Sequence, residues 1–279
     1  MTWSNWRRLG PAEGGTTVLT IDFGPGRATA GFGELAPRLT GDWTLWEPRT
    51  FTTGSAAGTA GNGDPQELVR EWAAHTAAQG TKVAAVTGYC SGSTLACALA
   101  DALQEQGLPR PLLIMFDPDA ADAGLIHDYY TTALRSFEGF LPDAELERAG
   151  DLGSRVLSAA AAAGPNGLTA LARELGSEYE RVASAACRAA GMGPEYGRQL
   201  SERLGTFLGY LAITGRVEDS VPERATARGP VELIVSRQQT VPARFGVATR
   251  TFDVARAALL DDQAVADTVT ALLEREAAR

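Results

Sequence analysis

The chain has 279 residues, 44% of them hydrophobic and 21% charged, with a net charge of −9. That length supports one large domain with a full core or two small ones, and no stretch approaches the roughly 20 apolar residues of a membrane span. The negative balance repels nucleic acid and anionic membrane, so neither is expected as a general partner.

The N-terminal stretch MTWSNWRRLGPAEGG has no apolar segment of signal-peptide length, which predicts a cytoplasmic protein. Cys90, Cys97 and Cys187 show neither a disulfide framework nor metal-ligand spacing, as expected in a reducing compartment with no metal site.

In chain order, TTVLTIDF (16–23) is β-branched and apolar and predicts a strand. FGELAPRL (32–39) carries Phe32, Leu35 and Leu39 at helical spacing, and DWTLWEP (42–48) reads as a short strand. A loop of small residues, GSAAGTAGNGDP (54–65), precedes a helix from about Pro65 to Ala78. Then follow the strand KVAAVTGY, the helix TLACALADAL and the strand PLLIMFD (111–117). From Ala123 to Thr214 the chain is rich in Ala, Leu, Arg and Glu, broken at GPNG and GMGPEYG, and predicts several helices without a strand. PVELIVS (230–236) and GVATRTFDV (246–254) predict the last strands, and DDQAVADTVTALLERE (261–276) a closing amphipathic helix opened by aspartates. Strands alternating with helices predict one α/β domain, its mostly parallel sheet covered by helices on both faces and interrupted by a helical insertion over 123–214.

Between the strand ending near Tyr89 and the following helix lies TGYCSGS (87–93). Gly88 and Gly92 flank Cys90 at two residues on either side, the outline of a nucleophile elbow carrying a thiol in place of a hydroxyl. Glycines are needed there because a Cβ would clash where strand and helix back onto each other. The helix dipole favours the thiolate of Cys90, and the Ser91 backbone N–H is placed to form half of an oxyanion hole. Cys97 and Cys187 read as packing residues.

From about Thr16 to Ala271 the chain resembles the α/β-hydrolase thioesterases of nonribosomal peptide and polyketide assembly lines. The resemblance rests on LTIDFGPGRATAGFGELAPRL, matching the first core strand, oxyanion loop and helix of that family. It rests also on TGYCSGSTLACALADALQEQG, matching the elbow and its helix, and on PLLIMFDPD, whose strand ends in the catalytic acid in the family. Asp117 then takes the acid position, 27 residues after Cys90. Small cysteine hydrolases of the dienelactone type place their acid much further on and lack a long helical lid. The resemblance implies a lid over a channel entered by a phosphopantetheine arm, an acyl- or peptidyl-carrier protein as partner, a small-molecule acyl acceptor, and no cofactor bound to the chain itself.

Two departures bear on the chemistry. The family's histidine falls near TFDVARAALLDD, where this chain has none; Arg256 stands roughly at that position and reads by default as a solvated side chain. His75 reads as a surface residue, and His127, ten residues after Asp117, is the only histidine placed as an alternative base. In the oxyanion loop, Pro25 falls at or beside the second N–H donor and has no N–H to give, leaving Gly24 or Gly26 as donor after a one-residue shift. Losing such a donor costs roughly 3 kcal/mol of transition-state stabilisation.

A thiolate forms without histidine and is intrinsically nucleophilic, whereas water attacking an acyl-Cys90 needs a base. The cysteine and the missing histidine therefore both favour acyl transfer over hydrolysis, with Asp117, Asp119 or His127 available to assist. Three alternatives stand beside this: a proofreading or cyclising thioesterase, a catalytically inactive member that binds a carrier protein or acyl ligand, and a hydrolase of free esters or amides.

Overall fold

The computed structural model of the chain describes residues 3–10, 15–24, 29–51, 64–218, 229–246 and 249–279. These fall into two compact units, the first drawn from Met1–Thr52, Asp64–Ala120 and Ser220–Arg279, the second from Thr53–Gly63 and Ala121–Asp219.

The first unit is built on a sheet of β1 (Trp6–Leu9), β2 (Thr16–Ile21), β3 (Trp43–Pro48), β4 (Val83–Tyr89), β5 (Leu112–Phe116), β6 (Val231–Ser236) and β7 (Arg250–Phe252). Their order is β1-β3-β2-β4-β5-β6-β7. Every pairing is parallel except that of β1 with β3. β4 and β5 lie in the middle and are buried along their whole length, which is why VAAVTGY and LLIMF are near-continuous apolar runs rather than alternating ones.

Helices cover both faces. On one, Val18, Leu45, Ile114, Phe116 and Ile234 pack with Phe32 and Leu35 of α1 (Phe32–Leu35) and with Val265, Val269 and Leu272 of α8 (Gln263–Ala277). On the other lie α2 (Pro65–Ala77) and α3 (Gly92–Glu105), and Cys97 of α3 reaches Met115 of β5 at 3.7 Å. Capping fixes where these helices begin. Asp64 accepts from Gln66 N at 3.0 Å ahead of Pro65 at the first helical position, and Asp262 accepts from Val265 N at 3.1 Å.

Three features differ from the sequence-based expectation. β1 has no counterpart in it, because WRRL lacks β-branched residues; Trp6 is fully buried, and neighbouring Trp3 stacks on Trp46 with ring centroids 4.4 Å apart. The segment 32–39 is one α-helical turn followed by a 3-10 turn over Ala36–Arg38, with Pro37 ending the helical pattern. Of the strand expected over 246–254, residues 247 and 248 lie outside the described residues, and the others carry β7 at Arg250–Phe252.

The second unit contains α4 (Ala123–Arg135), α5 (Asp143–Ala163), α6 (Gly167–Ala189) and α7 (Pro194–Glu218). Leu171, Leu175, Tyr179, Val182, Leu208 and Leu211 are among its buried residues, and Tyr130 Oη donates to Ala149 O at 3.0 Å. Breaks fall at Gly164–Asn166 and just before Pro194, where glycine and proline interrupt the helical pattern.

The glycines of this fold make opposite predictions. A Cβ on Gly88 would lie 2.5 Å from Ser93 Cα and 2.7 Å from Gly92 O, both backbone atoms that cannot swing aside. Gly88→Ala is therefore expected to lower stability by about 1–3 kcal/mol in denaturant unfolding. Gly205 of α7 has nothing within 4 Å of a built Cβ. Gly205→Ala is expected to raise stability by up to about 1 kcal/mol, because alanine loses less entropy in a helix.

Candidate active site

The register of the parallel sheet brings the candidate residues together. Tyr89 pairs with Phe116, so Cys90 and Asp117 are each the first residue beyond the carboxyl ends of neighbouring strands. Ladder hydrogen bonds continue through both, Cys90 N to Phe116 O at 2.9 Å and Asp117 N to Ile234 O at 3.0 Å. Both then turn with positive φ, 54° at Cys90 and 41° at Asp117, and among the described residues no other non-glycine does so. A left-handed conformation costs such residues roughly 1–3 kcal/mol, and strain of this kind concentrates where a side chain must be aimed.

At Cys90 the turn is steric in origin. With Gly88 against the backbone of Gly92 and Ser93, strand and helix pass too closely for any side chain at that position. Ser93 N donates to Cys90 O at 3.1 Å, opening α3 directly after the elbow. The sulfur is partly buried, in contrast to buried Cys97 and Cys187. Ser91 is buried, and its backbone N–H lowers the pKa of the neighbouring thiol.

Arg256, read from sequence as a solvated side chain, lies instead against Cys90. Its Nη2 donates to Cys90 Sγ at 2.8 Å, and Nη1 reaches Gln239 Oε1 at 3.3 Å and Asp119 Oδ2 at 3.5 Å. Its Cζ sits 6.0 Å from the Tyr89 ring centroid, and Tyr89 Oη donates to the Arg256 backbone carbonyl at 3.2 Å. Gln239 is held in turn through Nε2 to Pro118 O at 3.1 Å. Arg256 begins a 3-10 turn over Arg256–Asp261 that packs Leu259 and Leu260 into the core, so its stem is anchored although part of the side chain remains exposed.

The Asp117 carboxylate is fully buried and held by Ser236 at the end of β6: Oδ1 accepts from Ser236 N at 2.7 Å and Oδ2 from Ser236 Oγ at 2.8 Å. Burial pushes its pKa up, opposed by the two Ser236 hydrogen bonds and by the Arg256 charge. Burial likewise pushes the Cys90 thiol above its ordinary range; Arg256 pulls it back, Asp119 pushes it up, the Ser91 N–H lowers it and Asp22 raises it. Burial works against the charge on Arg256, yet the sulfur, Tyr89 and Asp119 hold that guanidinium firmly protonated.

Gly24 is exposed just beyond β2, with only Glu47 Oε1 within 4.0 Å of a built Cβ; Pro25 and Gly26 lie outside the described residues. His127 belongs to α4 of the second unit, where its ring is 6.4 Å from that of Tyr130 and its Nε2 is buried without a hydrogen-bond partner among the described residues. Among the described residues no group of three or more His, Cys, Asp or Glu is arranged to hold a metal. Tyr89, Ser236 and Gln239 were not singled out from sequence. Ser236 carries a signal only as the last residue of a predicted strand, and Gln239 carries none.

No protein-family model matches the chain, and no curated protein matches it in sequence. Among solved structures it is similar to holo-AB3403, a four-domain nonribosomal peptide synthetase bound to AMP and glycine. That likeness has 13% identity and a TM-score of 0.52 and covers 96% of this chain, which spans only 20% of the synthetase. A candidate epoxide hydrolase from Pseudomonas aeruginosa matches at 14% identity and a TM-score of 0.50, covering 98% of this chain and 92% of that one. The wild-type Vlm2 thioesterase domain matches more loosely, at 19% identity and a TM-score of 0.47, with 97% and 96% covered. At such identities the likeness is one of fold, and with the mostly parallel sheet and the turn at Cys90 it shows that the chain has the α/β-hydrolase fold.

Proposed function

We propose that the protein is a thioesterase-like acyltransferase of nonribosomal peptide or polyketide biosynthesis. It takes an acyl or aminoacyl group from the phosphopantetheine arm of a carrier protein onto Cys90 and passes it to a small-molecule acceptor. The helical segment of the second unit is the lid insertion of a single domain in this reading. The observation that carries it is the Arg256 guanidinium donating to the sulfur of a cysteine held in a left-handed elbow.

Guanidinium is a donor only and stays protonated, so Arg256 cannot act as a general base. What it can do is hold negative charge on sulfur. In the first step Cys90 Sγ bonds to the thioester carbonyl carbon, the bond to the pantetheine sulfur breaks, and the thiol proton of Cys90 ends on the departing sulfur. This exchange has no net proton demand. The tetrahedral oxyanion faces the Ser91 N–H, while Arg256 stabilises charge on sulfur as it develops.

In the second step an amine adds to the acyl carbon and the carbon–sulfur bond breaks. Cys90 leaves as a thiolate beside Arg256 and takes up the proton that the amine loses. Water is a poorer acceptor, because it must lose a proton to a base as it attacks. Asp117, with both oxygens engaged by Ser236, is not hydrogen-bonded to Arg256 and serves to order the turn after β5.

Mixing the protein with acyl- and aminoacyl-pantetheine thioesters is expected to give a mass increase of one acyl group on the intact chain. Cys90→Ala should abolish it, and so should Cys90→Ser, because a hydroxyl without a base is nearly unreactive. Consumption of no thioester across a broad panel, with binding of a carrier protein retained, would instead establish an inactive binding protein.

The thiol should also titrate abnormally. Burial places its pKa above the ordinary value of about 8.5, so alkylation by iodoacetamide should be slow at neutral pH and keep rising beyond the range of a free thiol. Arg256→Met removes the opposing positive charge and should displace that profile to still higher pH. Arg256→Lys should displace it less. An unchanged profile in Arg256→Met would refute the coupling of guanidinium and sulfur.

A further inference from the structure

We propose, resting on the acyl-Cys90 reading, that Asp119 selects aminoacyl over plain acyl thioesters by receiving the α-ammonium group of the substrate. Asp119 lies two residues beyond Asp117, and one guanidinium ties its carboxylate to the reacting atom: Arg256 Nη2 is on Cys90 Sγ at 2.8 Å and Nη1 is 3.5 Å from Asp119 Oδ2.

The two oxygens of Asp119 are unequally engaged. Oδ1 accepts from Ala120 N at 2.9 Å, which fixes the side chain, while the Oδ2 contact with Arg256 is long, and Nη1 of that arginine also serves Gln239 Oε1 at 3.3 Å. About a third of the Asp119 side chain, 32%, is open to solvent, so a substrate cation can reach the carboxylate and take the place of Nη1 while Arg256 Nη2 stays on the sulfur.

The chemistry of the substrate supplies that donor where it is needed. In an aminoacyl thioester the ammonium is on the carbon next to the carbonyl, so once the carbonyl carbon approaches Sγ the ammonium is confined near the sulfur. A carboxylate sharing a guanidinium with that sulfur can meet it there. The cation replaces a long ion pair with a short charge-assisted hydrogen bond, whereas a plain acyl group leaves the carboxylate as it was. A charged hydrogen bond of this kind corresponds to roughly tenfold discrimination or more.

The test is a comparison of acylation rates, followed by intact-protein mass spectrometry, for alanyl-pantetheine and lactyl-pantetheine, which differ only in ammonium against hydroxyl. The unaltered protein is expected to load alanyl at least about tenfold faster. Asp119→Asn should remove most of that ratio and Asp119→Glu should restore part of it. A general change in the reactivity of Cys90 would move both rates together and leave the ratio intact. Equal loading of the two thioesters, or a ratio unaltered in Asp119→Asn, would overturn the role of Asp119 while leaving the acyl-Cys90 reading in place. Absence of any adduct with either thioester would overturn both.

Discussion

Because a guanidinium can only donate, the contact between Arg256 and Cys90 Sγ governs what the rest of the site can do. It stabilises negative charge on the sulfur, and it gives no means of deprotonating a water or a hydroxyl. The contact also depends on much of the first unit. The elbow must lift Cys90 out of the sheet, Leu259 and Leu260 must anchor the turn that starts at Arg256, and Tyr89, Gln239 and Asp119 must surround the guanidinium.

Two neighbouring strands end in the same way, each followed by one strained residue. At Cys90 the left-handed turn follows from crowding, since Gly88 leaves no room for a side chain between strand and helix. At Asp117 it is held by hydrogen bonds, because the buried carboxylate clasps both the backbone N–H and the hydroxyl of Ser236. That clasp joins the ends of β5 and β6 and lowers the penalty that burial places on the carboxylate. An acid at this position thus has a positioning use, with or without a histidine partner.

The charges around the sulfur oppose one another. Burial and the aspartates favour the neutral thiol, while Arg256 and the Ser91 N–H favour the thiolate. On the proposed role of Asp119, a substrate cation that draws on it would weaken one of the opposing influences as it binds, coupling recognition to the charge state of Cys90.

Much of the architecture is legible along the chain because it is written locally. The apolar runs of β4 and β5, the alternation of strands with helices, the aspartates that open α2 and α8, and the glycine at 88 each act through residues a few positions away. Cys90 is legible for the same reason, from the glycines that flank it at the end of a recognisable strand, whereas Asp117 is singled out only through the family resemblance of PLLIMFDPD. β1 is not legible in this way because WRRL pairs with β3 without a strand-like composition and packs through tryptophans. The partners of the sulfur could not be read at all from any local pattern. Arg256 is 166 residues from Cys90 in sequence, and Ser236 is 119 from Asp117; both pairs meet only because parallel strands set the register that brings their carboxyl ends to one edge. Local sequence determined most of the elements and the elbow at Cys90. The tertiary structure decided that an arginine, which sequence alone reads as a solvated side chain, faces the thiol, since strand order and register are properties of the whole sheet.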